Sequence, residues 1–165
     1  MTEHARRPWL GLAGWAAVTF AAAAVGSIAN MRSESFYGTL SLPDWAPPPS
    51  VFGPVWTLLY VMMAVAAWLV WRRAGWQGAR GALVLYLVQL VLNALWTWLF
   101  FAWTQGGLAF AEIVVMWLAI VATVVMFWRV RPLAGALMLP YLGWVSFAAF
   151  LNHAAWQMNP QLLGG

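Results

Sequence analysis

The chain of 165 residues contains no cysteine and no lysine, and only 7% of its residues are charged. The absence of cysteine excludes disulfides, thiolate nucleophiles and thiolate-held zinc. Roughly a quarter of the residues in an ordinary soluble domain are charged, whereas 64% of this chain is hydrophobic. A soluble fold of this size has no way to bury so much apolar surface, so the composition predicts an all-α membrane protein.

The net charge of +4 is carried by eight arginines that are scattered between apolar runs. Scattered cations form no basic face, so the charge does not indicate a nucleic-acid partner. It fits the positive-inside rule for membrane proteins, in which basic residues collect in the cytoplasmic loops.

Five apolar runs reach the roughly 20 residues that a helix needs to cross about 30 Å of hydrocarbon. We therefore predict one domain over residues 1–165, built as a bundle of five transmembrane helices. The first run has an alternative interpretation as a signal peptide, because Arg6 and Arg7 precede it and Ser27-Ile28-Ala29 resembles a cleavage site. The runs cover about residues 9–30, 51–71, 81–103, 108–128 and 134–157.

The arginines also predict the orientation of the bundle. Only Arg32 falls on one side of a five-span weave, and the other seven fall on the opposite side. The positive-inside rule then places the N-terminus in the cytoplasm and the C-terminus outside. The long loop 31–50 is external in this topology. The seven arginines on the cytoplasmic side are Arg6, Arg7, Arg72, Arg73, Arg80, Arg129 and Arg131.

The stretch from Pro43 to Tyr60 joins a stiff, proline-rich loop to the second predicted helix. Proline excludes the loop from helix interior. Phe52, Trp56 and Tyr60 then follow at helical spacing on one face. We interpret the loop as a lid and the aromatic stripe as one wall of a pocket, although such a stripe also serves as ordinary helix packing.

Aromatic and polar residues of the other helices lie at a similar predicted depth. A rise of about 1.5 Å per residue puts Asn93 and Trp144 near the middle of their helices and Trp96 further out. They converge with Trp56 beneath the external loop, which favours a pocket in the outer half of the bilayer. Asn93 has a second interpretation as a hydrogen-bonding partner of a neighbouring helix.

Several residues carry competing interpretations. Glu112 is costly in lipid and so a functional candidate, but it also fits a position near a helix N-terminus, where the dipole favours a carboxylate. His153 is a conceivable haem ligand, yet one histidine without a partner is weak evidence, so we predict no metal site. We interpret six tryptophans near predicted helix ends as interfacial anchors. They are Trp9, Trp71, Trp76, Trp103, Trp128 and Trp156.

Three motifs resemble one family in the same order. Residues 36–60, F-Y-G-T-L-S-L-P-D-W-A-P-P-P-S-V-F-G-P-V-W-T-L-L-Y, closely resemble the first loop and second helix of the TspO/MBR family. These are the tryptophan-rich sensory proteins and translocator proteins, once called peripheral benzodiazepine receptors. Q-L-V-L-N-A-L-W-T-W-L-F-F at 89–101 and L-P-Y-L-G-W-V-S-F-A-A-F-L-N at 139–152 resemble its third and fifth helices.

The resemblance implies a five-helix homodimer in a membrane that binds porphyrins, haem or other aromatic ligands in a cavity below the first loop. The ligand itself takes the place of a cofactor, and none is required. Trp56 and Trp144 match the tryptophans implicated in light-dependent porphyrin breakdown, and they are catalytic only if that reaction occurs. Five further residues match positions that line or close the cavity. They are Trp45, Tyr60, Trp96, Ala148 and Leu151.

One known property of the family is doubtful here. Its mitochondrial members bind cholesterol through a fifth-helix segment that has a tyrosine followed by a basic residue. The corresponding segment, L-N-H-A-A-W-Q-M-N at 151–159, has neither. Arg32 is the only basic residue on the external side, where the cavity mouth is predicted, and it is placed to pair with a propionate.

The leading functional hypothesis is therefore a tetrapyrrole receptor or sensor in a bacterial cell membrane, regulating tetrapyrrole levels or oxidative stress. A porphyrin transporter is the second hypothesis, against which stand five spans without a visible inverted repeat. The third is light-dependent porphyrin degradation. Conventional catalysis is not indicated, because no nucleophile–base constellation, metal cluster or nucleotide-binding loop is present in the sequence.

Overall fold

Five long helices and one short helix make up the computed structural model, which describes residues 8–29, 31 and 33–164. All except the short α2 are long and apolar enough to cross a membrane. The predicted fold class, an all-α bundle of five membrane-spanning helices, is thus confirmed. The helices are α1 Pro8–Ala29, α2 Ser33–Tyr37, α3 Phe52–Gly78, α4 Arg80–Thr97, α5 Gly106–Val130 and α6 Pro132–Met158.

The five long helices run alternately up and down, so the bundle has two ends. We call one the loop end, because the 31–50 loop covers it, and the other the arginine end. The described arginines all lie near the arginine end, and Arg6, Arg7 and Arg32 lie outside the described residues. The described ones are Arg72, Arg73, Arg80, Arg129 and Arg131.

Helix α3 extends past its predicted end near residue 71 and reaches Gly78. The extra turns carry Arg72, whose guanidinium carbon lies 5.2 Å from the centroid of the Trp68 ring. Such an arginine continues a helix because its stem covers apolar surface while its head reaches the interface. The helix breaks locally at Gly75, where φ is +66°, a conformation that glycine adopts without steric cost.

Two of the tryptophans that we interpret as interfacial anchors also pack closely against other helices. The ring of Trp71 lies against Gly11 of α1, and a Cβ at Gly11 would clash with that ring. Trp156 lies over Gly106 and Gly107 at the start of α5. Its indole Nε1–H donates to the carbonyl of Gly164 at 2.9 Å. Glycine permits both approaches, because a larger residue would hold the helices apart.

Helix α4 ends in a π turn, Trp98–Ala102. The amide of Trp103 donates to the carbonyl of Trp98 at 2.9 Å, which closes this wider turn. The indole Nε1–H of Trp98 reaches across to the carbonyl of Val25 in α1 at 3.0 Å. The π turn therefore joins α4 to the end of the helix that precedes the loop.

The 31–50 loop is more structured than the sequence indicated, since it contains α2 and a 3₁₀ turn at Pro49–Val51. The hydroxyl of Tyr37 donates to the carbonyl of Pro47 at 3.0 Å. The same ring meets Phe52 edge-on, with centroids 5.4 Å apart. Tyr37 thus ties both halves of the loop to the start of α3.

A second tie connects the loop to the residues that follow α6. The Asn159 side chain makes two hydrogen bonds to the backbone of Ser41: its Oδ1 accepts from the amide, and its Nδ2 donates to the carbonyl, both at 2.8 Å. Asn159 is 6% exposed. After it the chain turns back, and the amide of Gly106 donates to the carbonyl of Leu163 at 2.8 Å.

We predict that Asn159→Ala loosens the loop without dissolving the helices. Each intramolecular hydrogen bond contributes roughly 0.5–1.5 kcal/mol net, so losing the Ser41 pair should cost about 1–3 kcal/mol of local stability. Hydrogen–deuterium exchange of residues 38–46 should then accelerate about tenfold or more. Gln157→Ala, at an exposed position on α6, is the matched control. Unchanged exchange at Ser41 would contradict the tie.

Candidate functional site

A cavity of about 540 Å³ lies at the loop end, between the loop and helices α3, α4 and α6. This volume is within the range of roughly 300–1,000 Å³ that is typical of small-molecule pockets. Most of the lining side chains are aromatic or apolar. The lining residues are Met31, Ser35, Tyr37, Pro49, Phe52, Gly53, Trp56, Trp96, Thr97, Phe101, Trp144 and Ala148.

The aromatic walls of the cavity hold one another in place. Phe52 meets Trp144 edge-on, with ring centroids 5.8 Å apart. Trp96 contacts Phe101 in the same way at 6.0 Å. Edge-to-face pairs of this kind are favourable by roughly 0.5–1.5 kcal/mol beyond the area that they bury. The walls are therefore braced before any ligand arrives.

A chain of hydrogen bonds crosses the bundle one turn deeper than the cavity. The Tyr60 hydroxyl donates to Asn93 Oδ1 at 2.7 Å, and Asn93 Nδ2 donates to the Tyr141 hydroxyl at 3.1 Å. The Tyr141 hydroxyl in turn donates to Gln89 Oε1 at 2.8 Å. Tyr60 stacks on Trp56, a wall residue, at 5.5 Å. This polar chain joins α3, α4 and α6 beneath the cavity without lining it, and we call it the polar floor.

The Trp96 wall has its own polar support. Its indole Nε1–H donates to Asn152 Oδ1 at 3.0 Å, and Asn152 Nδ2 donates to the carbonyl of Gly106 at 3.1 Å. Asn152 is 2% exposed. One asparagine of α6 therefore orients a tryptophan of α4 and donates a hydrogen bond to the backbone at the start of α5.

The Trp144 wall has no such support. Its indole nitrogen is buried and has no hydrogen-bond partner, although the residue lines the cavity. A buried polar group without a partner is costly. Because the nitrogen itself is inaccessible, Trp144 offers the cavity its aromatic ring and not a free donor.

The structure brings five of the nine predicted ligand-binding residues to the cavity. Tyr60 and Asn93 line an adjacent pocket instead. Trp45 and Leu151 line neither of these two pockets. Trp45 is 52% exposed and meets Phe147 edge-on at 5.8 Å, whereas Leu151 is buried. The five at the cavity are Phe52, Trp56, Trp96, Trp144 and Ala148.

Sequence reasoning missed several cavity residues. Thr97 is adjacent to Trp96 and four residues after Asn93, a spacing that signals the same helix face. Phe101 gave no such signal, because its direction depends on the π turn. Gly53 and Ser35 were overlooked because small side chains carry no chemistry of their own.

Glu112 does not lie in the first turn of its helix. It is the seventh residue of α5, and the first turn of α5 contains no acidic residue. The interpretation that the helix N-terminus stabilises this carboxylate is therefore wrong, since the dipole effect falls off within the first turn. Both carboxylate oxygens are buried without a hydrogen-bond partner.

His153 lies outside the cavity, in a groove between α5 and α6. Its ring is next to Phe110, with centroids 4.9 Å apart. Across the described part of the chain, no group of three or more histidine, aspartate or glutamate side chains is arranged to hold a metal ion.

We predict that Tyr141→Phe destabilises the bundle by about 1–2 kcal/mol. The variant keeps the buried ring but removes the hydroxyl between Asn93 and Gln89. Hydrogen bonds between membrane-spanning helices are worth roughly 0.6 kcal/mol on average and about 1.7 at most. Reversible unfolding in mixed micelles would measure the loss.

The comparison variant is Tyr86→Phe, which breaks only the 2.6 Å contact with Thr19. Thr19 keeps its bond to the carbonyl of Trp15, so this change should cost less. Equal losses of unfolding free energy in the two variants would show that the polar floor stabilises the bundle no more than the isolated contact between Tyr86 and Thr19 does.

Comparison with known proteins gives a consistent result. The sequence profile of the TspO/MBR family matches residues 6–157. A tryptophan-rich protein TspO of Chlorobaculum tepidum is 41% identical over 127 residues, which are 76% of this chain and 80% of that protein. The human translocator protein is 36% identical, covering 96% of this chain and 95% of its own length. A tryptophan-rich sensory protein of Cereibacter sphaeroides is 38% identical, covering 88% and 92%.

Proposed function

The chain belongs to the TspO/MBR family, and from this premise we propose that it is a membrane receptor with a sensory role. Its ligand in this proposal is a tetrapyrrole, such as protoporphyrin IX or haem, held in the cavity beneath the 31–50 loop. No separate cofactor is required. The names of two relatives, a translocator protein and a tryptophan-rich sensory protein, support a role in recognition rather than conventional catalysis.

The observation that carries the proposal is the meeting of four aromatic walls around one cavity. Phe52, Trp56, Trp96 and Trp144 come from three different helices and face the same space. A flat conjugated ring gains most from such walls, because it stacks on aromatic faces and meets their edges. The volume and the mostly apolar lining also fit a ligand of that class.

The polar edge of a tetrapyrrole needs donors, and in this proposal Arg32 supplies one by pairing with a propionate. Arg32 lies outside the described residues.

We predict that the double variant Trp56→Ala, Trp144→Ala loses at least about tenfold in affinity for protoporphyrin IX, because each aromatic contact is worth roughly 0.5–1.5 kcal/mol beyond its buried area. The measurement is titration of the purified protein while the quenching of tryptophan fluorescence is followed.

Trp9→Ala, Trp76→Ala is the matched control. It also removes two indoles, but both are exposed at the arginine end, so affinity should be unchanged. Equal affinity in the wall variant and the control would refute the site. Absence of saturable quenching in the unaltered protein would refute the proposed ligand.

Photochemical breakdown is the second candidate, and one observation favours it: Trp56 and Trp144 both line the cavity. In this reaction an indole donates one electron to the photoexcited ring, leaving an indole radical cation and a ring radical anion. Illumination of the complex should then give a new absorbing product that disappears in Trp144→Phe. A product formed equally in that variant would exclude Trp144 as the donor.

The proposal also includes an orientation and an assembly. We propose that the arginine end faces the cytoplasm of a bacterial cell, since five described arginines lie at that end and basic residues favour that side. The loop, the cavity mouth and the C-terminus are then external, and the protein works as a homodimer. Cholesterol is not a proposed ligand.

A further inference from the structure

A second pocket adjoins the cavity between α1, α3 and α4. We call it the side pocket; its volume is about 390 Å³. Four residues line both spaces, so the two adjoin at these side chains: Phe52, Gly53, Trp56 and Thr97. The residues that line only the side pocket are Phe20, Ala23, Ala24, Gly26, Ser27, Thr57, Tyr60 and Asn93.

The outer rim of the side pocket lies on the surface of the bundle. Ala24 and Ser27 of α1 are exposed, and so are Gly53 and Thr57 of α3. All four belong to segments that are long and apolar enough to cross a membrane. The opening between α1 and α3 therefore lies on the side of the bundle, near the loop end of both segments, and no residue between 31 and 50 lines it.

The rim is built from small residues, in contrast to the cavity walls. Ala23, Ala24, Gly26 and Ser27 occupy one turn of α1. Gly53 stands opposite, where the two spaces meet, and no atom lies within 4 Å of the position that a Cβ would take there. The exposed rim residues of both helices, Ala24, Ser27, Gly53 and Thr57, therefore all have small side chains.

The inner end of the side pocket is polar. It contains the Tyr60 hydroxyl and Asn93, which are hydrogen-bonded to each other, and Thr97. These groups lead to the floor of the cavity rather than to the loop. A ligand entering here meets apolar surface first and hydrogen-bonding groups afterwards, the order suited to a molecule dissolved in hydrocarbon.

We propose that the side pocket is a lateral entrance, through which a flat, membrane-soluble ligand passes between the bilayer and the cavity without opening the loop. This inference rests on the proposed function, because it takes an aromatic ligand as cargo. It assigns Ala24, which lines only the side pocket, to control of the exchange rate rather than of the affinity.

The test replaces Ala24 with Phe in protein reconstituted into liposomes. Ala24 lines only the side pocket, so a larger side chain there raises the barrier to passage while leaving the occupied cavity unchanged. Protoporphyrin IX is mixed with the liposomes in a stopped-flow instrument, and tryptophan quenching reports association. Dilution into empty liposomes reports dissociation.

Both rate constants should fall by about tenfold or more in Ala24→Phe, equivalent to about 1.4 kcal/mol in the barrier, while Kd stays within about threefold. The matched control is Ala21→Phe, at an exposed position of α1 that lines neither space. Its rate constants should equal those of the unaltered protein.

A second pair of variants narrows the entrance from the opposite helix. Gly53→Val projects into the junction, and Gly143→Val is its control, since a Cβ at exposed Gly143 also meets nothing within 4 Å. Slower association in Gly53→Val alone supports the entrance even if Ala24→Phe does not fold.

The possible failures are distinguishable. If the unaltered protein binds but Ala24→Phe and Gly53→Val exchange ligand as fast as their controls, the entrance is wrong and the proposed function stands. If Ala24→Phe weakens Kd through faster dissociation alone, the side pocket is part of the binding site and the entrance is again wrong. If the unaltered protein shows no saturable quenching, the proposed function is wrong. The lateral entrance is then wrong as well, because it requires that ligand.

Discussion

The hydrogen-bond chain from Tyr60 through Asn93 and Tyr141 to Gln89 constrains the whole bundle. Hydrocarbon offers no water to replace a lost partner, so partners on neighbouring helices stabilise the buried amides of this chain. The Nε2 of Gln89, at its end, has none. The members of this chain come from α3, α4 and α6, and they pair only when those three helices keep one depth and one rotation. Apolar packing alone tolerates sliding, whereas this arrangement does not.

The aromatic cavity depends on that register. Trp56 is one turn before Tyr60 on α3, and Trp144 is about one turn after Tyr141 on α6. Their rings consequently reach the same level when the polar side chains beneath them are paired. The Trp56 ring also meets Tyr141, with centroids 6.2 Å apart. A polar layer that fixes the helices allows the layer above to stay partly unfilled, because the walls do not have to meet to hold the bundle together.

The loop end has its own supports, and they come from distant parts of the chain. Tyr37 links the loop to α3, and Asn159 links it to the residues after α6. Neither support touches the polar floor. The 31–50 loop and the polar floor can therefore be perturbed separately by mutation. The stability of the loop over the cavity is thus independent of the hydrogen bonds that align the helices beneath it.

Much of the architecture could be predicted because lipid restricts a chain so strongly. Runs of about 20 apolar residues have few alternatives to a spanning helix, and depth follows from counting residues along each helix. That reasoning was enough to bring Trp56, Trp96 and Trp144 to one cavity. It failed where position depends on irregular backbone: Trp45 sits on a loop, and Phe101 on a π turn.

Other misses have a different origin. The tie between Asn159 and Ser41 joins residues 118 positions apart, and no local pattern marks such a pair. Glu112 was placed one turn inside its predicted helix, close enough for the N-terminus to favour its carboxylate, but α5 begins at Gly106 and Glu112 is its seventh residue. Gly53 matters because its missing side chain leaves open space. Sequence patterns are built from the side chains that are present, so they do not reveal such a position.

The π turn at Trp98–Ala102 accommodates one more residue than an ordinary α-helical turn. Because the wider turn absorbs the additional residue, the chain beyond it keeps its direction while Phe101 is carried into the cavity wall. The polar side chains one turn deeper stay on regular α-helix. The upper wall of the site therefore depends on a local irregularity that the membrane-spanning scaffold below does not share.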